Sequence, residues 1–518
     1  MPSLAEAGTD WLRKLFGGSA SESPPTTGTG TPAVLPVVQA LAALEALACD
    51  GIAHRPSTPV SAGIAARLLP EPTRALNAFG RPVVEQDGAG AAGTVAVASG
   101  MALAGLRATA FLHGEELVEA HHQMHAAASR LAPLVLHAVN RHGDAQSAGH
   151  TGYHAVADSG CFQVMAHSGQ HALDLTLLAR WVAERTMVPG LVAVDGQRIE
   201  DLLLPDEETV RTFLGWPEEP TESATEAQRL LFGAERRRLL AWFDPDHPVA
   251  TGGTMGARDA TIAASGRQRF FADHVSEVAA LGMAELTKHT GRPLSFVDSH
   301  QMEDAEIVLV AQGAVVPIAR SVADHLRKTQ SWKVGVLGIT WLRPFPAQEV
   351  AAALRGRAAV AVIERLQDPL HADPPLLREV SAAVGSRPDG WVSAIEAGSA
   401  THDATRLVAL CELLRRTDRP HQVRLDTIVG GVDTGLPRRD ALDQAVRGSY
   451  DFDCDGLPSA AAVDLAPEGT FAVGLAGSRA ELPPDALTRV ATTLQRASHS
   501  VVRGVTTEPV PGALLALI

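Results

Sequence analysis

The residues best placed for chemistry gather at one turn and two flanking segments. In Val84-Glu85-Gln86-Asp87-Gly88-Ala89-Gly90-Ala91-Ala92-Gly93 two carboxylates, Glu85 and Asp87, lead into a turn almost without side chains. Gly88 and Gly90 let the backbone there come close to whatever lies against it. The stretch that follows, to residue 106, is nearly pure Ala, Gly and Val, which suits a buried, close-packed helix and leaves polar atoms only at the junction. A plain tight βα turn is the simpler alternative, because a Gly-rich turn alone is a weak motif. Thr58, in Arg55-Pro56-Ser57-Thr58-Pro59, and Arg141, closing Leu136-His137-Ala138-Val139-Asn140-Arg141, add a hydroxyl and a guanidinium. Together these are a neutral and a charge-assisted donor suited to a carboxylate; separately they are a helix cap and a surface charge.

These positions need a scaffold, and the hydrophobic pattern supplies one. Helical segments are expected at 37–49, 115–131 and 172–184, with strands at 81–84, 108–112, 134–139, 162–166 and 190–196. Strands separated by helices of this length imply a parallel, doubly wound sheet, and ligands of such sheets gather at the carboxyl ends of the strands, where Thr58, Gly88 and Arg141 all fall. Residues 200–226 are acidic and 227–242 read as a helix. A second α/β unit follows, with strands within 306–314, 333–339 and 359–364. The expected domains are a flexible arm (1–32), two α/β units (33–245 and 246–450) and a small C-terminal α/β appendage (451–518). In the arm, Trp11, Leu12, Leu15 and Phe16 stand at helical spacing around Arg13 and Lys14, ahead of a Gly/Ser/Thr/Pro-rich tether. That is the design of a docking peptide with its own docking partner, or of an arm folded back on its own domain or on a partner subunit.

The first unit resembles the pyrimidine-binding domain of the pyruvate:ferredoxin oxidoreductase family, or of 2-oxoacid:acceptor oxidoreductases more broadly. The resemblance rests on the Thr58 turn, on Ala89-Gly90-Ala91-Ala92-Gly93, on Arg141 and on Asp195-Gly196, with Asp244-Pro245-Asp246-His247-Pro248 similar to the family's crossing into its next domain. The second unit resembles the transketolase C-terminal type, through Trp332–Val336, Arg343-Pro344-Phe345 and Ile363-Glu364-Arg365. Arg343-Pro344-Phe345 is the most specific of these matches, and is read as a structural turn. The resemblance implies an α/β fold of two doubly wound parallel-sheet domains. It also implies thiamine diphosphate with Mg shared with a partner subunit, Thr58 and Arg141 on the substrate carboxylate, and Gly88, Ala89 and Gly90 against the cofactor. A separate β-type subunit would carry the diphosphate site and an iron–sulfur cluster, with ferredoxin or another acceptor taking the electrons. The family places a Glu where this chain has Gly88. Asp87 or Glu85 would then substitute for it, or a partner chain would supply a carboxylate; otherwise the chain is a degenerate, non-catalytic structural or regulatory paralogue.

Composition narrows the rest. At 518 residues the chain is long enough for several domains. It has 44 basic and 59 acidic residues, a net charge of −15, which argues against a nucleic-acid partner. Cys49, Cys161, Cys411 and Cys454 are too dispersed for an iron–sulfur or zinc ligand set and suit buried thiols in a reducing, cytoplasmic setting. Residues 113–171 are rich in histidine, and His121 and His125 share a helix face, but no third ligand can be named, so no metal site is assigned. No apolar run is long enough for a membrane span.

Overall fold

The computed structural model describes residues 30–55, 76–140, 149–195, 199–239, 256–366, 372–396, 404–425 and 434–449, with residues 457, 463 and 465 and three short strands beyond. The first unit opens with β1 (Thr31–Pro36), α1 (Val37–Ala48), β2 (Gly51–His54), β3 (Val84–Asp87) and α2 (Gly90–Leu103). It continues through β4 (Ala108–His113), α3 (Glu116–Ser129), β5 (Val135–Asn140), α4 (Thr151–Ala155) and β6 (Phe162–Ala166) to α5 (Gly169–Thr186), β7 (Gly190–Asp195) and β8 (Ile199–Leu204). Strands β6-β7-β5-β4-β2-β3 pair in parallel in that order. Strands β4, β5, β6 and β7 are buried along their whole length, because helices cover both faces of the sheet. On one face lie α1 and α5, with Ile52 among their core residues; on the other lie α2 and α3, with Ala53.

Small side chains set the spacing. The buried stripe of α2 is Ala91, Thr94, Val95, Ala98, Ser99 and Ala102, which recurs at helical period and lets the helix lie close to the sheet. Strand β3 starts later than the 81–84 run suggests: Pro82 forms an isolated bridge with Leu76, and the strand is the polar, exposed Val-Glu-Gln-Asp. It can be polar because it is the edge strand, with one side unpaired. Strands β1 and β8 form a two-stranded antiparallel ribbon, so Thr31 and Pro32, expected to end the tether, belong to the fold.

Between the two units lie β9 (Pro220–Glu222) and β10 (Glu235–Arg237), a short antiparallel pair. The helix expected over 227–242 is thereby corrected: it spans only Glu226–Phe232 and ends at Gly233, where φ is +82°. What overrides the helical pattern is Arg236, whose buried guanidinium donates to Glu184 O (2.5 Å) and Arg185 O (3.2 Å), carbonyls in the last turn of α5. The expected boundary near 245 lies outside the described residues.

The second unit contributes β11 (Val297–His300), β12 (Ile307–Ala311), β13 (Val334–Ile339), β14 (Trp341–Arg343), β15 (Ala359–Arg365), β16 (Val392–Glu396) and β17 (Gln422–Arg424). Its six-stranded sheet runs β11-β13-β12-β15-β16-β17, parallel except for β11. The missing member, β14, pairs antiparallel with β6 and becomes the seventh strand of the first sheet. Trp341, fully buried, stacks on Phe162 there at 5.6 Å. Arg343 lies in β14 and pairs with Glu379 while donating to Ala157 O, in keeping with a structural role. Gly474–Gly477, Thr506–Val510 and Ala513–Leu517 form a three-stranded antiparallel sheet.

Inside the first unit a charged knot takes the place of apolar packing. Glu45 of α1, fully buried, receives Arg180 Nη2 at 2.7 Å, Cys49 Sγ at 2.7 Å and Thr109 Oγ1 at 3.2 Å, and meets His137 Nε2 at 2.6 Å. Burial pushes its carboxyl up, but Arg180 and then His137 hold it down to about 2. Its folded value lies below the ordinary 4.5, so the stabilisation is present above pH 4.5 and is lost as the pH falls towards 2. Glu45→Ala, which strands Arg180, is expected to lower the unfolding free energy by ~3–5 kcal/mol at pH 7, with the deficit shrinking as the pH drops below about 4.5. Denaturant unfolding of both proteins across that range measures it.

Candidate functional site

Four neighbouring strands end along one edge, at Asn140 (β5), His113 (β4), His54 (β2) and Asp87 (β3). The ladder between β2 and β3 runs one step past the strand, with Gly88 N donating to His54 O at 2.9 Å. The chain then turns into α2 through Gly90, at φ +73°. Gly88 is required by close approach. A Cβ added there would lie 2.1 Å from Thr94 Oγ1 and 2.4 Å from Thr94 Cα, which belongs to helix backbone that cannot yield cheaply. The carboxylate expected at this position from the family therefore has no room on this backbone. A Cβ at Gly90 would meet Glu119 Oε1 at 2.7 Å, in addition to the positive φ.

Carboxylates reach the turn from elsewhere. Glu85 Oε1 lies 2.5 Å from His54 Nε2, whose ring is buried while Glu85 stays partly exposed. Asp87, exposed, stands opposite His54 in the β2–β3 register. From α3, Glu119 Oε1 accepts from Ala91 N at 3.1 Å, capping the start of α2. One turn earlier Glu116 accepts from His113 N at 2.9 Å and pairs with Arg55. Glu85 and Asp87 lie in β3 just ahead of the turn, and Gly88, Ala89 and Gly90 form its backbone. Thr58 and Arg141 lie outside the described residues; the chain before each ends at this same edge, at Arg55 and Asn140. His54, Glu116 and Glu119 were not singled out from sequence. The only signal they carry is a strand-terminal His and two Glu spaced i, i+3 at a helix start.

Beside this edge the two units are pinned together. Asp195, ending β7, accepts from Asn140 Nδ2 at 3.0 Å and from Ala314 N at 2.8 Å, and meets His150 Nε2 at 2.9 Å. Burial raises its carboxyl, but His150, then Arg365 and the Ala314 amide, hold it well below the usual range. Gly313 is the residue that permits this contact, since a Cβ there would sit 2.1 Å from Asp195 Oδ2. Among the described residues no group of three or more His, Cys, Asp or Glu could hold a metal ion, and no helix is long and apolar enough to cross a membrane. Cys49, Cys161 and Cys411 are free and buried.

The glycines of the turn differ in a testable way. A Cβ at Gly93 meets Ala89 Cβ at 3.5 Å and Gly88 C at 3.7 Å, both ordinary contacts, whereas one at Gly88 collides with Thr94. Gly88→Ala is expected to destabilise by ~1–3 kcal/mol through overpacking. Gly93→Ala is expected to be neutral or to stabilise by ~0.5–1 kcal/mol, the usual gain of Ala over Gly within a helix. Thermal unfolding of the two variants separates the cases.

Comparison with known proteins bears on both units. Residues 43–279 match the family pyruvate flavodoxin/ferredoxin oxidoreductase, thiamine diphosphate-binding. Residues 305–404 match pyruvate:ferredoxin oxidoreductase core domain II. The pyruvate synthase subunit PorA of Thermotoga maritima is 31% identical over 309 residues, covering 56% of this chain and 71% of that one. That of Methanothermobacter thermautotrophicus is 31% identical over 257 residues, covering 48% and 60%. The alpha subunit of the NADH-dependent phenylglyoxylate dehydrogenase of Aromatoleum evansii is 28% identical, covering 54% and 66%. Among solved structures, the 2-oxoglutarate:ferredoxin oxidoreductase of Magnetococcus marinus, with 2-oxoglutarate, coenzyme A and succinyl-CoA bound, superposes with a TM-score of 0.54 at 15% identity, covering 78% of this chain and 74% of that one, a likeness of fold.

Proposed function

Because this chain belongs to the pyruvate:ferredoxin oxidoreductase family as an α-type subunit, we propose that it serves a thiamine-diphosphate-dependent 2-oxoacid:ferredoxin or other acceptor oxidoreductase. It works in the cytoplasm with a separate β subunit that carries the diphosphate, Mg and iron–sulfur sites. The observation that carries this reading is the turn at Gly88–Gly90, set at the carboxyl edge of a doubly wound sheet and bordered by a carboxylate, Glu85, that is partly exposed. An aminopyrimidine needs close backbone approach and an acid beside its ring nitrogen, and the residues of the turn fit that half of the cofactor.

Bound here, thiamine diphosphate supplies the carbon nucleophile that no side chain offers. The chain's own residues do the rest. Thr58 and Arg141 hold the 2-oxoacid carboxylate, Arg141 by a charge-assisted pair of hydrogen bonds. Gly88, Ala89 and Gly90 bring main chain against the pyrimidine, and Glu85 or Asp87 provides the acid. The helices over both faces of the sheet exclude water from behind the turn, where an electrostatic contact is worth more than in solvent. The N-terminal arm docks on a partner of the assembly.

A second reading, a non-catalytic structural or regulatory paralogue, is favoured by the packing of Gly88 on Thr94, which leaves no space for the family's carboxylate. Reconstitution with the β subunit, Mg and thiamine diphosphate decides between them. In an active complex Arg141→Ala is expected to raise the barrier in kcat/KM for the 2-oxoacid by ~2–4 kcal/mol, and Thr58→Val by less. An assembled complex that turns over no 2-oxoacid would establish the paralogue reading.

A further inference from the structure

His54 is the last residue of β2, and its side chain is 2% exposed. Its Nδ1 lies 3.1 Å from Arg55 O, a carbonyl that can only accept, so Nδ1 carries a hydrogen. Its Nε2 lies 2.5 Å from Glu85 Oε1, and an ionised carboxylate also only accepts. The contact therefore contains one further proton. The pair is either imidazolium with carboxylate or neutral imidazole with carboxylic acid.

The placement of this proton matters. His54 O receives Gly88 N, so ring and turn are tied to the same residue, while Glu85 remains 37% exposed at the sheet edge. The other charged groups around the pair have their own places. Asp87 stands across from His54 in the register, Glu116 takes Arg55 and His113 N, and Glu119 caps α2. Among the described residues, Glu85 joins the buried ring to the exposed rim. We infer that His54 and Glu85 form a proton-sharing pair that takes over the role of the carboxylate for which Gly88 leaves no room. Glu85 touches the aminopyrimidine, and His54 is the positioning residue that stores the proton.

With the proton on Nε2, Glu85 is an ionised carboxylate beside a pyrimidine ring nitrogen that carries no proton. When Oε1 takes the proton from Nε2, Glu85 can give one to that nitrogen and His54 is left neutral. One N–H bond breaks at Nε2 and one forms on the pyrimidine; the reverse step restores the pair, and no further reactant is needed.

This rests on the functional reading above, so its test has two parts. In the α–β complex loaded with Mg and thiamine diphosphate, Glu85→Gln and His54→Asn are each expected to lower kcat by ~100-fold or more, as loss of a general acid–base does, with little change in KM for the 2-oxoacid. His54→Asn should also move the acid limb of the pH profile, and Glu85→Gln should weaken Mg–thiamine diphosphate binding, a readout independent of turnover. Wild-type values for both variants in an active, folded complex overturn the inference, as does loss of turnover on Glu119→Gln with Glu85→Gln active. A wild-type complex that neither binds the cofactor nor turns over defeats the functional reading instead. In that case 15N-histidine NMR of the full chain still decides on the pair. A proton shared at Nε2 that is lost in Glu85→Gln supports it; a neutral His54 with bare Nε2 beside an ionised Glu85 refutes it.

Discussion

The arrangement of the edge depends on one buried carboxylate. Asp195 ends β7, an inner strand of the first sheet, and accepts from a main-chain N–H of the second unit, Ala314 N, while Asn140 and His150 of its own unit meet its other lone pairs. Removing a buried charge from water is costly, and the cost is offset only when every lone pair finds a donor in good geometry. Asp195 has that only when both units are docked in one orientation, so its burial makes the relative placement of the two sheets close to all-or-none. Strand β14 adds a mechanical counterpart, because it lends three residues of the second unit to the edge of the first sheet.

Around that pin the first unit is built for closeness. Helix α2 faces the sheet with Ala, Ser and Thr around a single Val, so main chain rather than side chain sets the spacing there. Small residues contribute little hydrophobic free energy each, at about 25 cal/mol per Å² of apolar area, and the unit compensates with paired charges inside. Glu45 with Arg180 and His137, and Glu184 with Arg107, are each fully buried. Such knots are weak sources of net stability but severe penalties against wrong packing, since any misplacement leaves a charge unpaired in a low-dielectric interior. A sheet whose ligand edge must hold its geometry gains more from that penalty than from another kilocalorie of oil.

What was legible in the sequence follows from how each element is buried. Strands β4 to β7 and β12 to β15 are covered on both faces and read as uninterrupted apolar runs, apart from β14, so their positions could be inferred within a residue or two. The elements that escaped are those whose reason lies far away in the chain. Strand β10 is Glu-Arg-Arg and exists because α5 needs its last carbonyls met; β11 is Val-Asp-Ser-His and gains its place by pairing with β13; β14 has three residues and a partner in another unit. The site divided along the same line. Glu85, Asp87 and the glycines are contiguous and could be read, whereas His54 is 31 residues from Glu85 and Glu119 is 28 from Ala91. Spacing carries no record of such contacts, which exist only after β2, β3 and α3 share an edge.

Gly88 shows how the two levels bear on one another. From sequence it is a missing carboxylate. In the structure it is the point where a strand must pass within van der Waals range of Thr94, and a side chain is excluded by backbone rather than merely absent. The close helix that the Ala-rich pattern dictates and a carboxylate at position 88 are therefore mutually exclusive on this backbone. On this backbone an acid at the turn has room only from a neighbouring position on the same edge. Moving three residues upstream, to Glu85, places the acid inside a strand, where the period of two keeps it on the face of Ile52 and His54. A buried base is waiting there, and a carboxylate at the loop position would have had no such partner. An acid at position 88 would stand alone at a turn, whereas Glu85 is coupled to a histidine.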